Sequence, residues 1–218
     1  NASTSAGTAL AQATLAAASA ENARLTAAYT LPATFASGGA TWFNGYAGDP
    51  ATRTPITANS VFSFPDVSGV GKVLQAITAT SNTDVSAIGV VPVIAGRRYR
   101  FKAVVRSVAG APSVTLFGYG LNSSYGQTAT PTQSATLVAG VWTTITLEQT
   151  ADYYTALSTA YLRPFLRLST AGYTYQIASL SVEDITESYA AASSATAAAT
   201  SATAAGTSST AASASQVA

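Results

Sequence analysis

Gly96-Arg97-Arg98-Tyr99-Arg100-Phe101-Lys102-Ala103-Val104-Val105-Arg106 is the stretch on which the fold of this chain is decided. Arg98, Arg100, Lys102 and Arg106 alternate with Tyr99, Phe101, Ala103 and Val105. A two-residue period of this kind belongs to a strand with one face buried and one face wet. Ala95-Gly96 before the stretch and Ala109-Gly110-Ala111-Pro112 after it are turn signals, so a strand is expected over residues 98–108. Its clustered cations read as a solvated strand face rather than as an anion site.

The same grammar extends on both sides. Short β-branched and aromatic runs over residues 60–64, 71–80, 87–93, 113–120, 134–138, 142–148, 161–168 and 174–184 are separated by Gly, Pro, Asn and Asp. Strands joined by such short turns predict an all-β sandwich, with no helical stretch interrupting it. Trp142 beside Val141 and Ile145 reads as core, and Pro164 within residues 161–168 reads as the mark of a strand near a sheet edge.

The two ends of the chain are different. From Ser188 to Ala218 the sequence is almost entirely Ala, Ser and Thr without a charged side chain. Ala191, Ala195, Ala198, Ala202 and Ala205 follow alternating steps of four and three, the period of a coiled-coil seam. Near the N-terminus Leu15, Ala18, Asn22 and Leu25 keep the same spacing, with Asn22 as a register-setting polar residue, until Pro32 forbids continuation. The expected organisation is an N-terminal coil over residues 1–29, a β-sandwich over 30–186 and a C-terminal coil over 187–218, capped at Thr186 or Ser188. Parallel coils on both sides of a β domain predict a homo-oligomeric rod, for which a homotrimer is preferred. A flexible Ala/Ser/Thr linker is the alternative reading of the tail.

Composition narrows the chemistry. The chain has 218 residues, a formal net charge of +1, and no Cys, His or Met. Thiol nucleophiles, imidazole bases and the usual ligands of zinc, copper and iron are therefore missing from the sequence. A charge so close to zero argues against a nucleic-acid partner. No apolar run is long enough to span a bilayer, so membrane insertion is not expected. The nine acidic residues are scattered; only Glu183 and Asp184 adjoin, and neighbours on a strand face opposite sides. No catalytic residue and no cofactor is assigned, and the chain reads as non-enzymatic. Its first residue is Asn rather than Met, and the chain is read as an internal piece of a longer protein or a processed product.

Two resemblances rest on particular residues. Val93-Ile94-Ala95-Gly96-Arg97-Arg98-Tyr99-Arg100-Phe101, then Val138-Ala139-Gly140-Val141-Trp142-Thr143-Thr144-Ile145, then Tyr173-Thr174-Tyr175-Gln176-Ile177-Ala178-Ser179-Leu180-Ser181-Val182 resemble the strand grammar of carbohydrate-binding-module jelly rolls. This resemblance covers roughly Leu31 to Ile185. The Ala-rich ends resemble the repetitive coils of tailed-bacteriophage tail fibres and central fibre proteins. Together they imply a structural virion component located in an extracellular tail fibre. Its expected partners are further copies of itself, other tail or fibre proteins and host surface polysaccharide. The alternatives are a secreted bacterial carbohydrate-binding module between flexible linkers, or an autotransporter-like adhesin stalk.

Two segments carry the chemistry that a sugar-binding jelly roll needs, aromatic rings beside hydrogen-bonding side chains. One holds Trp42, Asn44 and Tyr46; the other holds Tyr119, Asn122, Tyr125 and Gln127. The competing reading of the first segment is a core plug. Arg163 and Arg167 are assigned no ligand. The resemblance also implies a structural calcium near Asp184, although the acidic partners of that family's opening motif are not recognisable here.

Overall fold

The computed structural model describes residues 42–45, 48–78, 82–197 and 199–200. The arginine-rich stretch forms strand β8, Arg98–Ser107, and its residues alternate strictly between half-buried and buried. Tyr99, Phe101, Ala103 and Val105 point into the core, as the two-residue period requires.

The other strands follow in chain order: β1 Trp42–Asn44, β2 Phe62–Ser63, β3 Asp66–Val67, β4 Gly71–Lys72, β5 Leu74–Ile77, β6 Thr83–Ala87 and β7 Val91–Pro92 precede β8. After it come β9 Ser113–Leu121, β10 Gln127–Ala129, β11 Thr132–Thr136, β12 Thr143–Thr150, β13 Tyr161–Leu168 and β14 Thr174–Asp184. A seven-stranded sheet runs β1-β6-β13-β9-β10, with β11 also on β9 and β7 also on β13. A five-stranded sheet runs β12-β8-β14-β5-β2, and β3 and β4 form a separate ribbon. All strand pairs are antiparallel.

The inner faces meet in one core. Val85, Leu116, Leu162 and Leu166 from the seven-stranded sheet join Leu74, Phe101, Val105, Ile177 and Leu180 from the other. Burying each of these aliphatic or aromatic side chains contributes about 1.5–3 kcal/mol, which is why alternation rather than turn chemistry sets the register.

Four expectations need correction. A short helix, Ala151–Thr155, interrupts the strands. It is too brief for a helical period to be read, and it is held by burial of Ala151 and Tyr154. Trp142 lies just before β12 and is half-buried rather than core, with the Arg106 guanidinium 4.6 Å from its ring centroid. Pro164 sits in β13, which is central, flanked by β6 and β7 on one side and β9 on the other. The ladder tolerates it because Gly118, directly opposite, sends its own N–H away to Pro131 O at 3.0 Å. Gly118 and Pro164 are thus a non-hydrogen-bonded pair, and the Pro164 nitrogen faces the break between β6 and β7.

The fourth correction lies in the second unit of the chain, which begins at Ile185. Residues 186–197 and 199–200 are helical. The helix starts from Ile185, whose carbonyl accepts Tyr189 N–H at 2.9 Å and the Ser188 hydroxyl at 3.0 Å. Ser188 therefore lies inside the first turn and is not its cap. Ala191 and Ala195 are on this helix. The other seam residues, Leu15, Ala18, Asn22, Leu25, Ala198, Ala202 and Ala205, lie outside the described residues.

Candidate functional site

The outward face of the seven-stranded sheet is unusually rich in rings and guanidinium groups. Register explains the pattern. Phe43 on β1 stands opposite Ser86 on β6, Ser86 opposite Phe165 on β13, and Phe165 opposite Phe117 on β9. The neighbouring row places Asp84 opposite Arg167, and Arg167 opposite Thr115. Thr115 and Ser134 of β11 then share a hydrogen bond of 2.9 Å. An aromatic row therefore lies beside a polar row, each crossing several strands.

The rings lock one another. Phe117 and Phe165 are stacked with centroids 4.6 Å apart, and Tyr119 meets Phe165 edge-on at 5.8 Å. Arg167 spans Phe117 and Phe165, with its guanidinium carbon 5.4 and 5.3 Å from their centroids. It donates two hydrogen bonds to the Asp84 carboxylate, at 3.0 and 3.1 Å. A two-pronged pair on a ring platform is rigid, so its polar edge is preorganised. Phe117, Tyr119, Gln127, Thr130, Phe165 and Arg167 wall a cleft of about 250 Å³.

Beyond the cleft the same face is closed by a buried cation. Arg163 is fully buried; it donates to Gly48 O and Ile88 O, each at 3.1 Å, and lies 5.1 Å from the Phe43 centroid. Burial lowers its pKa to about 10, and nearby Arg53 adds to the fall, but the group is still charged at neutral pH. Arg53 approaches the same ring, 5.2 Å from its centroid. Gly48, at φ +106°, makes this packing possible, because a Cβ there would overlap the Arg53 guanidinium.

Of the residues singled out by the sequence, the structure brings Tyr119, Tyr125 and Gln127 to this face. The Tyr119 hydroxyl donates to Gln127 Oε1, and Tyr125, at φ 60°, stacks on Tyr161 with centroids 5.3 Å apart. Asn122 instead braces the backbone. Its Oδ1 accepts Ser124 N–H at 2.9 Å and Gly126 N–H at 2.8 Å, which holds the turn that presents Tyr125. Trp42 is fully buried in the core, where it cannot meet a ligand. Asn44 is exposed at the end of β1. Tyr46 lies outside the described residues.

Sequence reasoning passed over Asp84, Phe117, Phe165 and Arg167. Arg167 carries a signal, since it stands between the buried Leu166 and Leu168, and Phe117 follows the buried Leu116; Asp84 and Arg167, far apart in sequence, meet only through the strand order.

Arg97 Nη1 pairs with Asp184 Oδ2 at 3.4 Å, and among the described residues no group of three acidic or other ligating side chains gathers. The rest of the arginine cluster is likewise engaged in part. Arg98 and Arg100 both bind Glu148, at 3.3 and 2.8 Å, and hydrogen bonding from Arg100 holds the Glu148 carboxyl below its ordinary value of 4.5.

No protein-family model matches the chain, and no curated protein matches it in sequence. Solved structures do match in shape. The two-module fragment of the Clostridium thermocellum endo-1,4-β-D-xylanase 10B, a family 22 carbohydrate-binding module joined to a family 10 hydrolase module and complexed with xylohexaose, aligns at a TM-score of 0.50. Identity is 13%, over 72% of this chain but 28% of that one. The C-terminal family 22 module of the same enzyme aligns at 0.48, with 14% identity, over 72% of this chain and 92% of the module. The enzymatically active domain of bacteriophage CBA120 tailspike protein 4 aligns at 0.46, with 9% identity, over 72% of this chain and 21% of that chain. Identities this low speak to fold alone: the described domain is a mainly-β sandwich resembling the jelly roll of carbohydrate-binding modules.

Proposed function

We propose that this chain is a non-enzymatic binding component that holds a polysaccharide across the outward face of its seven-stranded sheet. The observation that carries the reading is the aromatic row next to the polar row, open at the cleft between Phe117, Gln127 and Arg167. A pyranose offers an apolar face to a ring and hydroxyls to its rim; Phe117, half-buried at the cleft, is the ring of the row that a sugar reaches, and the buried Phe43, Phe165 and Tyr119 hold it in place from beneath. The Arg167–Asp84 pair supplies donors and an acceptor side by side, and Gln127 is exposed at the mouth. At about 250 Å³ the cleft is slightly smaller than common ligand cavities of ~300–1,000 Å³, which suits a chain laid across the face rather than a molecule enclosed by it.

The larger setting belongs to the same proposal. The Ala-rich ends support a place in an extracellular phage tail fibre, as a parallel homotrimer that binds host surface polysaccharide and adjoins other fibre proteins. Three weak sites on one rod gain avidity through effective concentration, so no single site needs to be tight.

The test is a binding screen of the full chain against neutral and acidic polysaccharides, repeated with Phe117→Ala and Gln127→Ala. Loss of a ring–sugar stack is expected to weaken binding about tenfold or more. Unchanged affinity in both variants would remove the cleft from the mechanism. Light-scattering mass on the same sample decides the assembly: a trimer supports the fibre setting, and a monomer shifts weight to a secreted module between flexible linkers.

A further inference from the structure

The outward face of the other sheet carries an arrangement that the cleft does not use. Register places four side chains in one row across β2, β5, β14 and β8, and a fifth follows just before β12. Ser63 on β2 stands opposite Gln75 on β5, Gln75 opposite Gln176 on β14, and Gln176 opposite Arg106 on β8. Trp142 follows one position beyond the Thr143–Val105 pair and closes the row on the β12 side. Four strand spacings make this row ~19 Å long.

The row is connected in a single direction. Arg106 Nε donates to Gln176 Oε1 at 2.8 Å, Gln176 Nε2 to Gln75 Oε1 at 2.9 Å, and Gln75 Nε2 to Ser63 Oγ at 3.4 Å. Each amide still has a second N–H, and each acceptor oxygen a second lone pair. At the end stands the Trp142 indole, half-buried, with the Arg106 guanidinium 4.6 Å from its centroid. Among the described residues no carboxylate pairs with Arg106, and its two Nη groups have no hydrogen-bond partner there.

Charge separates along the face. Glu148 and Glu183 both register with Arg100, at the opposite end of β8 from Arg106. Between them Lys102 registers with Thr146 and Ser181, and among the described residues it has no acidic partner. The Trp142 end of the sheet is therefore positive and carries a planar ring, a guanidinium fork and a ladder of amides. A fork with open Nη groups matches a carboxylate in two-pronged geometry.

We propose that the row Trp142–Arg106–Gln176–Gln75–Ser63 is a second glycan site, separate from the cleft, that takes an acidic sugar chain. A uronic-acid ring stacks on Trp142, its carboxylate meets Arg106, and neighbouring hydroxyls bond the half-buried Gln75 and Ser63, while the buried Gln176 links them to Arg106. This assignment does not depend on the seven-stranded face binding anything.

The chain has two tryptophans, and Trp42 is fully buried, so a change in indole fluorescence on titration reports Trp142. The probe is an oligogalacturonate, added to the full chain and followed by fluorescence and calorimetry, with xylohexaose as the neutral control. The expected result is a fluorescence change that weakens with added salt, at least about tenfold weaker binding in Arg106→Gln, and loss of the calorimetric signal in Trp142→Ala. Thermal midpoints of both variants near that of the parent would show that the fold is intact. Oligogalacturonate affinity unchanged in both variants, or no binding to the parent, overturns the proposal. Equal, Trp142-dependent binding of xylohexaose overturns the choice of an acidic ligand.

Discussion

Gly118→Ala tests whether the packing beneath the cleft is as tight as the geometry says. An added Cβ would stand 2.6 Å from Tyr154 Oη and 2.8 and 3.1 Å from Cε2 and Cδ2 of Phe101. Carbon atoms meet comfortably at about 3.5–4.0 Å. Neither neighbour has room to give way. Phe101 is fully buried, and Tyr154 is tied by its own hydroxyl to Gly118 O at 3.1 Å. Overpacking of this kind costs about 1–3 kcal/mol, and the chain-entropy advantage of Ala over Gly returns about 0.5–1, leaving a net loss of about 0.5–2 kcal/mol. At roughly 2–4 °C per kcal/mol, the thermal midpoint drops by about 1–8 °C. Urea unfolding should show a lower midpoint with an unchanged slope. The partner experiment is Tyr154→Phe, which alone loses about 1 kcal/mol with its hydrogen bond. In the double variant the nearest clashing atom is gone, so the two losses should combine to less than their sum by about 0.5–1 kcal/mol. Stability at or above the parent level, or strict additivity, would refute this account. Because Phe117 and Tyr119 flank Gly118 on β9, the same substitution should also weaken polysaccharide binding.

Two further predictions follow from the charged groups. Arg163→Lys should lower the urea midpoint by the equivalent of about 1–3 kcal/mol, because one ammonium cannot span Gly48 O and Ile88 O as the guanidinium fork does; an unchanged midpoint would count against that bridge. Glu148 has a folded pKa depressed by Arg100 and Arg98, so its contribution to stability is fully present above 4.5 and is lost as pH falls through the lower folded value. Glu148→Gln should therefore flatten the acid side of the curve of thermal midpoint against pH while leaving the shape near neutrality alike, and parallel acid limbs in parent and variant would contradict the linkage.

The sequence was legible where one face of a strand is buried and the other is wet. β8 alternates from end to end, β13 and β14 occupy the expected residues 161–168 and 174–184, and Ala95-Gly96 and Ala139-Gly140 mark turns in which both glycines have positive φ. β6 was missed because all five of its residues are buried, Thr83, Asp84 and Ser86 among them, so it shows no apolar period. Its polar residues look like a loop until the strand order supplies Arg167 for Asp84 and Pro164 O for the Ser86 hydroxyl, at 3.0 Å. The segment from Gly118 to Gln127 was legible as chemistry because its aromatic and amide residues are local in sequence. Phe165 and Arg167 were not, since their neighbours come from β6 and β9, and no spacing along one strand encodes which strands flank it.

Pro164 shows how a correct local rule leads to the wrong place in the fold. Proline does mark a position without a ladder hydrogen bond, and here that position is a break inside the sheet rather than its rim. β6 pairs with β13 only as far as Ser86 opposite Phe165, and β7 begins pairing at Val91 opposite Leu162. In the interval the chain leaves the ladder, and the Ile88 carbonyl accepts instead from Arg163, the residue just before the proline. A continuous β6 strand would have spent that carbonyl on a backbone partner and left the buried guanidinium short of an acceptor. The missing amide hydrogen of Pro164 and the buried charge of Arg163 are thus accommodated by one interruption. That interruption fixes the inner end of the aromatic row on which the cleft is built.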